Sequence, residues 1–341
     1  MTKTLLLLAA VAALAVPPGA AAKPDPSAGG RAVIAIIGDT PYSAAQITNF
    51  PNDVQAINND PAVSRVVHLG DIKSGSTQCT DAYFASIRSR FDQFADPLVY
   101  TPGDNEWTDC HRANNGGYNP LERLAKIRAD FFDVRGQTLG RRVPVEAQGG
   151  TTLENVLWSQ GGAEFGVINV PGSNNSLLPW TGNTEPTPEQ LAEVRSRTAA
   201  DLRWIDQIFY EARADRTAGV VVGMQADMFS DEATAGYDEI VDRLALRAHE
   251  FHKPVVLFEG DSHLFRVDHP FTPGDPLYSK YDIPVDAPNL TRVVVQGSTN
   301  CPHSYLRLHV NPATPAVFSG ENVVLPLDGS VCDATPIAAG F

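Results

Sequence analysis

The sequence predicts an α/β fold built on parallel strands, and three observations predict it. Short apolar, β-rich runs recur, and each stops at a polar break. These are Arg31–Ile37 before Gly38-Asp39, Arg65–Leu69 before Gly70-Asp71, and Leu98–Tyr100 before Thr101-Pro102-Gly103-Asp104. The intervals between them carry apolar residues at helical spacing. The β-α-β-α-β order that results favours parallel strands with right-handed crossovers. Open α/β sheets place their chemistry beyond the carboxyl ends of the strands, where the acids of this chain accumulate.

The elements follow in order. Lys3, the apolar run Leu5–Val16 and the small residues Ala20-Ala21-Ala22 read as a Sec-type signal peptide over residues 1–22, too short to span a membrane. Residues 23–30 are rich in Pro, Ser and Gly and are expected to be a flexible linker. One domain is expected over residues 31–341. Ala44–Asn59 sets Ile47, Phe50, Val54 and Ile57 on one helical face, and Asp81–Phe94 does so with Tyr83, Phe84, Ile87, Phe91 and Phe94. Tyr118–Phe132 reads as a helix. Val156-Leu157-Trp158 and Phe165–Val170 read as paired strands, followed by the loop Pro171–Asn175. Pro188–Ala212 is a long helix. Gly219–Gly223 is a strand leading into Gln225 and Asp227. Tyr237–His252 is helical, and Pro254–Phe258 is a strand leading into Gly260-Asp261-Ser262-His263. Thr291–Gln296 and Tyr305–Val310 read as closing strands, and the Pro- and Gly-containing tail from Asn311 as irregular.

Roughly 310 residues beyond the leader suffice for one domain with a sizeable core. The net charge of −14 is spread along the chain and argues against a nucleic-acid or anionic-membrane partner. Four Cys in an exported chain suggest two disulfides with three possible connectivities. The expected pairing is Cys79–Cys110, joining two loops that follow motif strands, and Cys301–Cys332, tying the tail to the domain.

Five strand ends carry acid, amide or imidazole groups: Asp39, Asp71, Asp104 with Asn105, Gln225 with Asp227, and Asp261 with His263. Gathered in space, such groups suit a divalent cation. Two cations sharing a carboxylate could clamp a phosphate and activate water.

The segments GDTPYS, LGDIKSG, YTPGDNEWTDCHR, GMQAD and GDSHLFRVD carry a resemblance to the calcineurin-like metallophosphoesterases, over residues 31 to about 270 and most closely to a degenerate secreted subgroup. The resemblance implies that family's fold, with mixed β-sheets flanked by helices and the site at the carboxyl ends of the strands. It also implies metal positions at Asp39, Asp71 (the bridging acid), Asp104, Asp261 and His263. The departures are Pro41 at a metal-binding His, Asp104 at a metal-binding Asn, and Asn105 at the His that protonates the leaving group. Gln225 replaces a lone His, and Asp261 replaces the first His of the last motif. The site left is oxygen-rich, which favours Mg²⁺, Mn²⁺ or Ca²⁺ over Zn²⁺ or Fe, as one or two ions.

The expected activity is exported, metal-dependent hydrolysis of phosphomonoesters or phosphodiesters by a metal-activated water. The alternative on the same fold is a weak or inactive metal- or phosphate-binding protein. Asn105, His111 and Arg112 are the candidates for contacting the phosphate or leaving group, His111 having the competing reading of a loop residue beside the disulfide. The expected partner is a small-molecule or exported phosphoester substrate, and the expected location is the periplasm or the medium after leader cleavage. Lys73 is expected to neutralise the acidic loops, and His68 to be a satisfied core histidine.

Overall fold

Apolar runs that do not alternate bury both faces of a strand, and this chain stacks two such sheets. In Ala32–Ile37, Ile34 and Ile36 face the other sheet, while Ala35 and Ile37 face helices. In Gly219–Gly223, Val221 faces the other sheet, while Val220 and Val222 face helices. The computed structural model describes residues 30–230, 234–326 and Cys332. The expected leader and nearly all of the linker fall outside these.

The first sheet has six strands, in the order Phe318–Val324, Ser304–Val310, Ala32–Ile37, Arg65–His68, Pro97–Tyr100 and Leu139–Gly140. Ala32–Ile37, Arg65–His68 and Pro97–Tyr100 run parallel, and the remaining pairings are antiparallel. The second sheet has seven strands, in the order Arg266–Asp268, Leu290–Val294, Val255–Glu259, Gly219–Gly223, Ala163–Val167, Val156–Gln160 and Glu146–Ala147. Its four middle strands are parallel. Ala44–Asn59, Asp81–Phe91 and Pro120–Phe131 pack on the outside of the first sheet, and Pro188–Ala214 and Asp238–Phe251 on the outside of the second. Each sheet is therefore mixed and flanked by helices, as expected.

Side-chain caps set the helix starts. Ser43 with Gln46, and Thr187 with Gln190, form capping boxes, while Thr80 and Asn119 accept from first-turn N–H groups. The Asn119 cap with Pro120 at the first turn starts the third helix two residues after Tyr118. Both disulfides form, Cys79–Cys110 and Cys301–Cys332.

One expectation is corrected. The chain after Asn311 is not irregular throughout, because Phe318–Val324 pairs along its full length with Ser304–Val310 as an edge strand. Pro312 and Pro315 lie in the turn before it, where no ladder N–H is required. Val317 and Phe318 anchor the strand in the inter-sheet core. The short strands Leu139–Gly140, Glu146–Ala147 and Arg266–Asp268 also lacked an apolar pattern to announce them.

Phe91 lies at the hub of an aromatic cluster under the first sheet, against Phe50, Phe94, His68, Tyr100 and Phe131. Phe91→Ala is expected to cost about 3–5 kcal/mol of stability through the cavity it leaves. Urea unfolding checks this, and a loss below about 1 kcal/mol would show that the cluster collapses without strain.

Candidate functional site

The carboxyl ends of the parallel strands in both sheets open onto one cleft. Asp39, Asp71 and Asp104 follow three strands of the first sheet, while Gln225 and Asp261 follow two of the second. The backbone turns sharply to aim these groups inward. Asp39, Asp71, Asp261 and His263 all have positive φ, at 51°, 56°, 66° and 62°. That region is costly for any residue with a Cβ, although Asp tolerates it better than most. Such strain collects at sites where a side chain must point in one direction.

Carboxylate oxygens of Asp71, Asp104 and Asp261 lie within 4.8 Å of one another. They line a cavity of about 490 Å³ together with Tyr42, Asn105, Asp109, Arg112, Ser173 and His263. Asp39 lies beneath, fully buried, and accepts the Asp261 N–H on both oxygens at 3.0 and 3.1 Å. Gly172 makes the crowding possible, since a Cβ there would stand 2.7 Å from an oxygen of both Asp104 and Asp261.

The charge balance is strongly negative. Burial pushes the Asp71 carboxyl well up, and Asp104, Glu106, Asp39 and Asp261 add to it. Burial does the same at Asp39, with Asp104, Glu106 and Asp227 adding, against the Asp261 N–H. Asp109 rises to about 7 through burial and the charge of Asp104, opposed by Arg112.

A buried scaffold holds the loops. Glu106 Oε1 accepts from the N–H groups of Asp71 and Gly103 and from the Tyr100 hydroxyl, at 3.1, 2.7 and 2.8 Å. Lys73 does not reach into the cavity. Its Nζ donates to the Asn105 and Ser74 carbonyls and to Asn115 Oδ1 at 2.6, 2.9 and 2.9 Å. Burial lowers its pKa to about 8 against the pull of Asp71, Glu106, Asp109 and Asp104. His68 Nε2 lies 2.9 Å from the Thr40 carbonyl, and Gly70 N–H donates to Nδ1 at 3.2 Å. These contacts assign a neutral ring with the proton on Nε2. His68 thereby ties the Asp39 loop to the Asp71 loop.

The far wall is a left-handed turn over Gly172–Ser176, with Ser173, Asn174 and Asn175 near φ 52–56° and ψ 37–49°. Consecutive left-handed residues are uncommon, and Asn is among the few side chains that tolerate them. Arg197, itself buried, holds the turn. Its guanidinium donates to the Asn169 and Asn175 carbonyls, each at 3.0 Å, and to Asn175 Oδ1. Gln190 donates to the Ser176 and Leu178 carbonyls at 2.6 and 2.8 Å. The turn presents Ser173 Oγ 2.9 Å from Asp104 Oδ2 and 2.8 Å from Asp109 Oδ1.

The sequence candidates fall into three groups. Asp71, Asp104, Asn105, Arg112, Asp261 and His263 share the cavity, with Asp39 directly below them. His111 is not among the lining residues, because its Nδ1 is engaged by the Thr181 hydroxyl and N–H at 2.8 and 2.9 Å. Asp227 is buried away in an ion-pair network with Arg292, Glu259 and Asp268. The cavity also includes Tyr42 and Asp109, which stand within the GDTPYS and YTPGDNEWTDCHR segments. For the Gly172–Ser176 turn the paired asparagines were the one local signal.

The donor set fits a hard divalent cation. Ligand distances of about 2.0–2.6 Å allow oxygens up to about 5 Å apart to share one ion. The three clustered acids meet that condition and include no nitrogen or sulfur.

No protein-family model matches the chain, and no curated protein matches it. Solved structures do. A dimetal phosphatase from Danio rerio aligns with a TM-score of 0.50 at 11% identity, over 81% of this chain and 92% of its own. GAP50, the anchor in the inner membrane complex of Plasmodium, aligns with a TM-score of 0.51 at 11% identity, over 92% of this chain and 89% of its own. At this identity the likeness establishes the fold, which is the calcineurin-like metallophosphoesterase fold.

Two outcomes test the scaffold. Arg197→Ala leaves the left-handed turn without its buried donors, and is expected to lower stability by about 3–5 kcal/mol in chemical denaturation. A loss under about 1 kcal/mol would mean the turn holds itself. Burial lowers the His68 pKa from its ordinary 6.5 to about 4. Between those values the unfolded chain binds more protons, so this group makes stability fall as pH drops from 6.5 to about 4. His68→Asn should remove on the order of 3 kcal/mol of that fall, measured by denaturation across the window. Equal slopes in both proteins would mean the ring titrates in the folded state as in the unfolded one.

Proposed function

We propose that this chain, which has the calcineurin-like metallophosphoesterase fold, is an exported phosphoesterase dependent on a divalent cation. The observation that carries the reading is the meeting of Asp71, Asp104 and Asp261 from two sheets at the base of an open cavity, with Arg112 on its wall. Asp71, Asp104 and Asp261 would hold the cation. A divalent ion there supplies charge neutralisation for a phosphoryl group and lowers the pKa of a water.

The chain's own groups divide the remaining work. Arg112 keeps one guanidinium nitrogen on Asp109 at 2.6 Å, and a second lies 3.5 Å from Ser173 Oγ. With five N–H donors, it retains capacity for a phosphate oxygen. The Asp109 partner orients the guanidinium fork toward the cavity. Ser173 Oγ fixes the Asp104 rotamer, and Gln225 Nε2 approaches the other Asp104 oxygen at 3.4 Å. The substrate class is a phosphomonoester or phosphodiester.

Two disulfides and the absence, among the described residues, of a helix long and apolar enough to cross a membrane support export. The leader at residues 1–22 would direct it to the periplasm or the medium.

A second reading has its own support. Asn105, at the position of the family's proton donor, spends both amide N–H bonds on Asp71 and Tyr42. A site with an amide at that position could bind a cation or phosphate and turn nothing over. The Plasmodium neighbour, GAP50, is the anchor in the inner membrane complex.

Hydrolysis of a chromogenic phosphoester with Mg²⁺, Mn²⁺, Ca²⁺ or Zn²⁺ separates the two. Asp71→Asn is expected to lower the rate at or beyond the upper end of the roughly 10–100-fold that outer partners of a metal site cost. A wild-type rate equal to that of the variant with every metal would establish the binding protein instead.

A further inference from the structure

The protonatable and lone-pair positions of the site can be counted, and the count limits how many ions it takes. Asp71 stands where the resemblance places the acid shared between two metals. A carboxylate offers about four lone-pair positions. Asp71 Oδ2 accepts the Tyr42 hydroxyl at 2.8 Å and Asn105 Nδ2 at 2.5 Å, which uses both of its positions. Oδ1 accepts the Asn105 N–H at 3.2 Å, which leaves one. The Tyr42 hydroxyl and the Asn105 amide also bond to each other at 3.1 Å, so the three groups form a closed triangle. Asp71 can serve one ion and has nothing left with which to bridge to a second.

The ligands that a second ion would need are also committed or missing. Pro41 offers no side-chain donor. His263 Nδ1 accepts the Thr299 N–H at 3.2 Å, which assigns the ring proton to Nε2. That nitrogen faces Asp39 Oδ1 at 4.0 Å and has no lone pair to give. Both Asp39 oxygens accept the Asp261 N–H, and Asp39 lies outside the group of acids whose oxygens come within 4.8 Å of one another. The ring of Tyr42 meets His263 edge-on at 5.0 Å and closes the remaining side. On the opposite side, Gly172 N–H donates to Gln225 Oε1 at 2.6 Å, which turns Nε2 toward Asp104. Gln225 therefore faces the carboxylates as a donor and cannot coordinate through its oxygen.

We infer that the site takes a single divalent cation, held by Asp71, Asp104 and Asp261 alone, with Asp39, His263 and Gln225 outside its coordination. The inference rests on the cation-dependent reading above and departs from the two-metal arrangement named in the Danio rerio neighbour. Tyr42 is then a positioning residue that consumes the bridging capacity of Asp71.

Titration of the chelator-treated, full-length mature protein with MnCl₂ tests it, followed by calorimetry and by electron paramagnetic resonance. The expected result is one Mn²⁺ per chain, with the six-line signal of an isolated ion. His263→Ala should leave the affinity unchanged, while Asp261→Asn should weaken it at least about tenfold. Two ions per chain, or the signal of an exchange-coupled pair, would overturn the inference and leave the cation-dependent reading standing. No bound ion at all would overturn both. Loss of Mn²⁺ binding in His263→Ala, with an unchanged circular dichroism spectrum, would restore the imidazole as a ligand and overturn the all-carboxylate site. The wild-type stoichiometry decides the question even if neither variant folds.

Discussion

The structure depends on forcing like charges together. Asp39, Asp71, Asp104 and Asp261 come from four strand ends and meet in one partly enclosed space. Two unit charges about 4 Å apart repel by about 1 kcal/mol in water, and by about 4 kcal/mol at the effective dielectric of a protein surface. Burial of Asp39 and Asp71 raises that cost, which is why both carboxyls are driven strongly toward the protonated form. A site of this kind resolves its charge by taking up protons or a cation, and the same oxygens serve either purpose. Lys73, a buried cation, is held at main-chain carbonyls behind the loops and so offsets the field without occupying the cleft.

Strain and anchoring are matched around that convergence. Left-handed residues occur at Asp39, Asp71, Asp261 and His263 and again over Ser173–Ser176. Each costs on the order of 1–2 kcal/mol for a residue with a Cβ. The buried hydrogen bonds of Glu106, His68, Arg197 and Gln190 lie directly behind these turns and accept from or donate to their main chain. The aromatic cluster around Phe91 supports His68 and Tyr100 from below. The packed core of the first sheet is therefore continuous with the groups that hold the acidic loops, so the site cannot relax its repulsion by moving the loops apart.

Much of this was legible in the sequence for a physical reason. Strands buried on both faces write themselves as unbroken apolar runs, as Arg31–Ile37 and Gly219–Gly223 do, and the breaks after them mark the carboxyl edge. Parallel order then follows from the intervening helices. Of the three possible connectivities, the expected one forms, Cys79–Cys110 joining two loops that follow motif strands and Cys301–Cys332 tying the tail to the domain. What stayed hidden depends on hydrogen bonds between residues distant in sequence. His111 and Arg112 are neighbours, yet Thr181 draws the first away and Asp109 holds the second at the cavity. The strand Phe318–Val324 has mostly half-buried residues and so no apolar period. Arg197 shows nothing in its own helix of the turn it secures.

The residues that differ from the phosphoesterase motifs act in concert. Asp104 and Asp261 place oxygen where the motifs place an amide and an imidazole, and Gln225 turns a donor toward them. Pro41 and Asn105 remove a ligand and an acid on the other side, while Tyr42 fills the space against Asp71 and His263. Imidazoles both bind transition metals such as zinc and iron and shuttle protons near neutral pH. Their exchange for Pro41, Asn105, Gln225 and Asp261 leaves oxygen donors as the ligands at hand, which suits hard cations. Arg112 retains free donors on the cavity wall, and a guanidinium does not deprotonate in proteins. The cleft thus sets buried anions against one such cation, and it keeps a group that titrates near neutrality, since burial and the charge of Asp104 push the Asp109 carboxyl up to about 7.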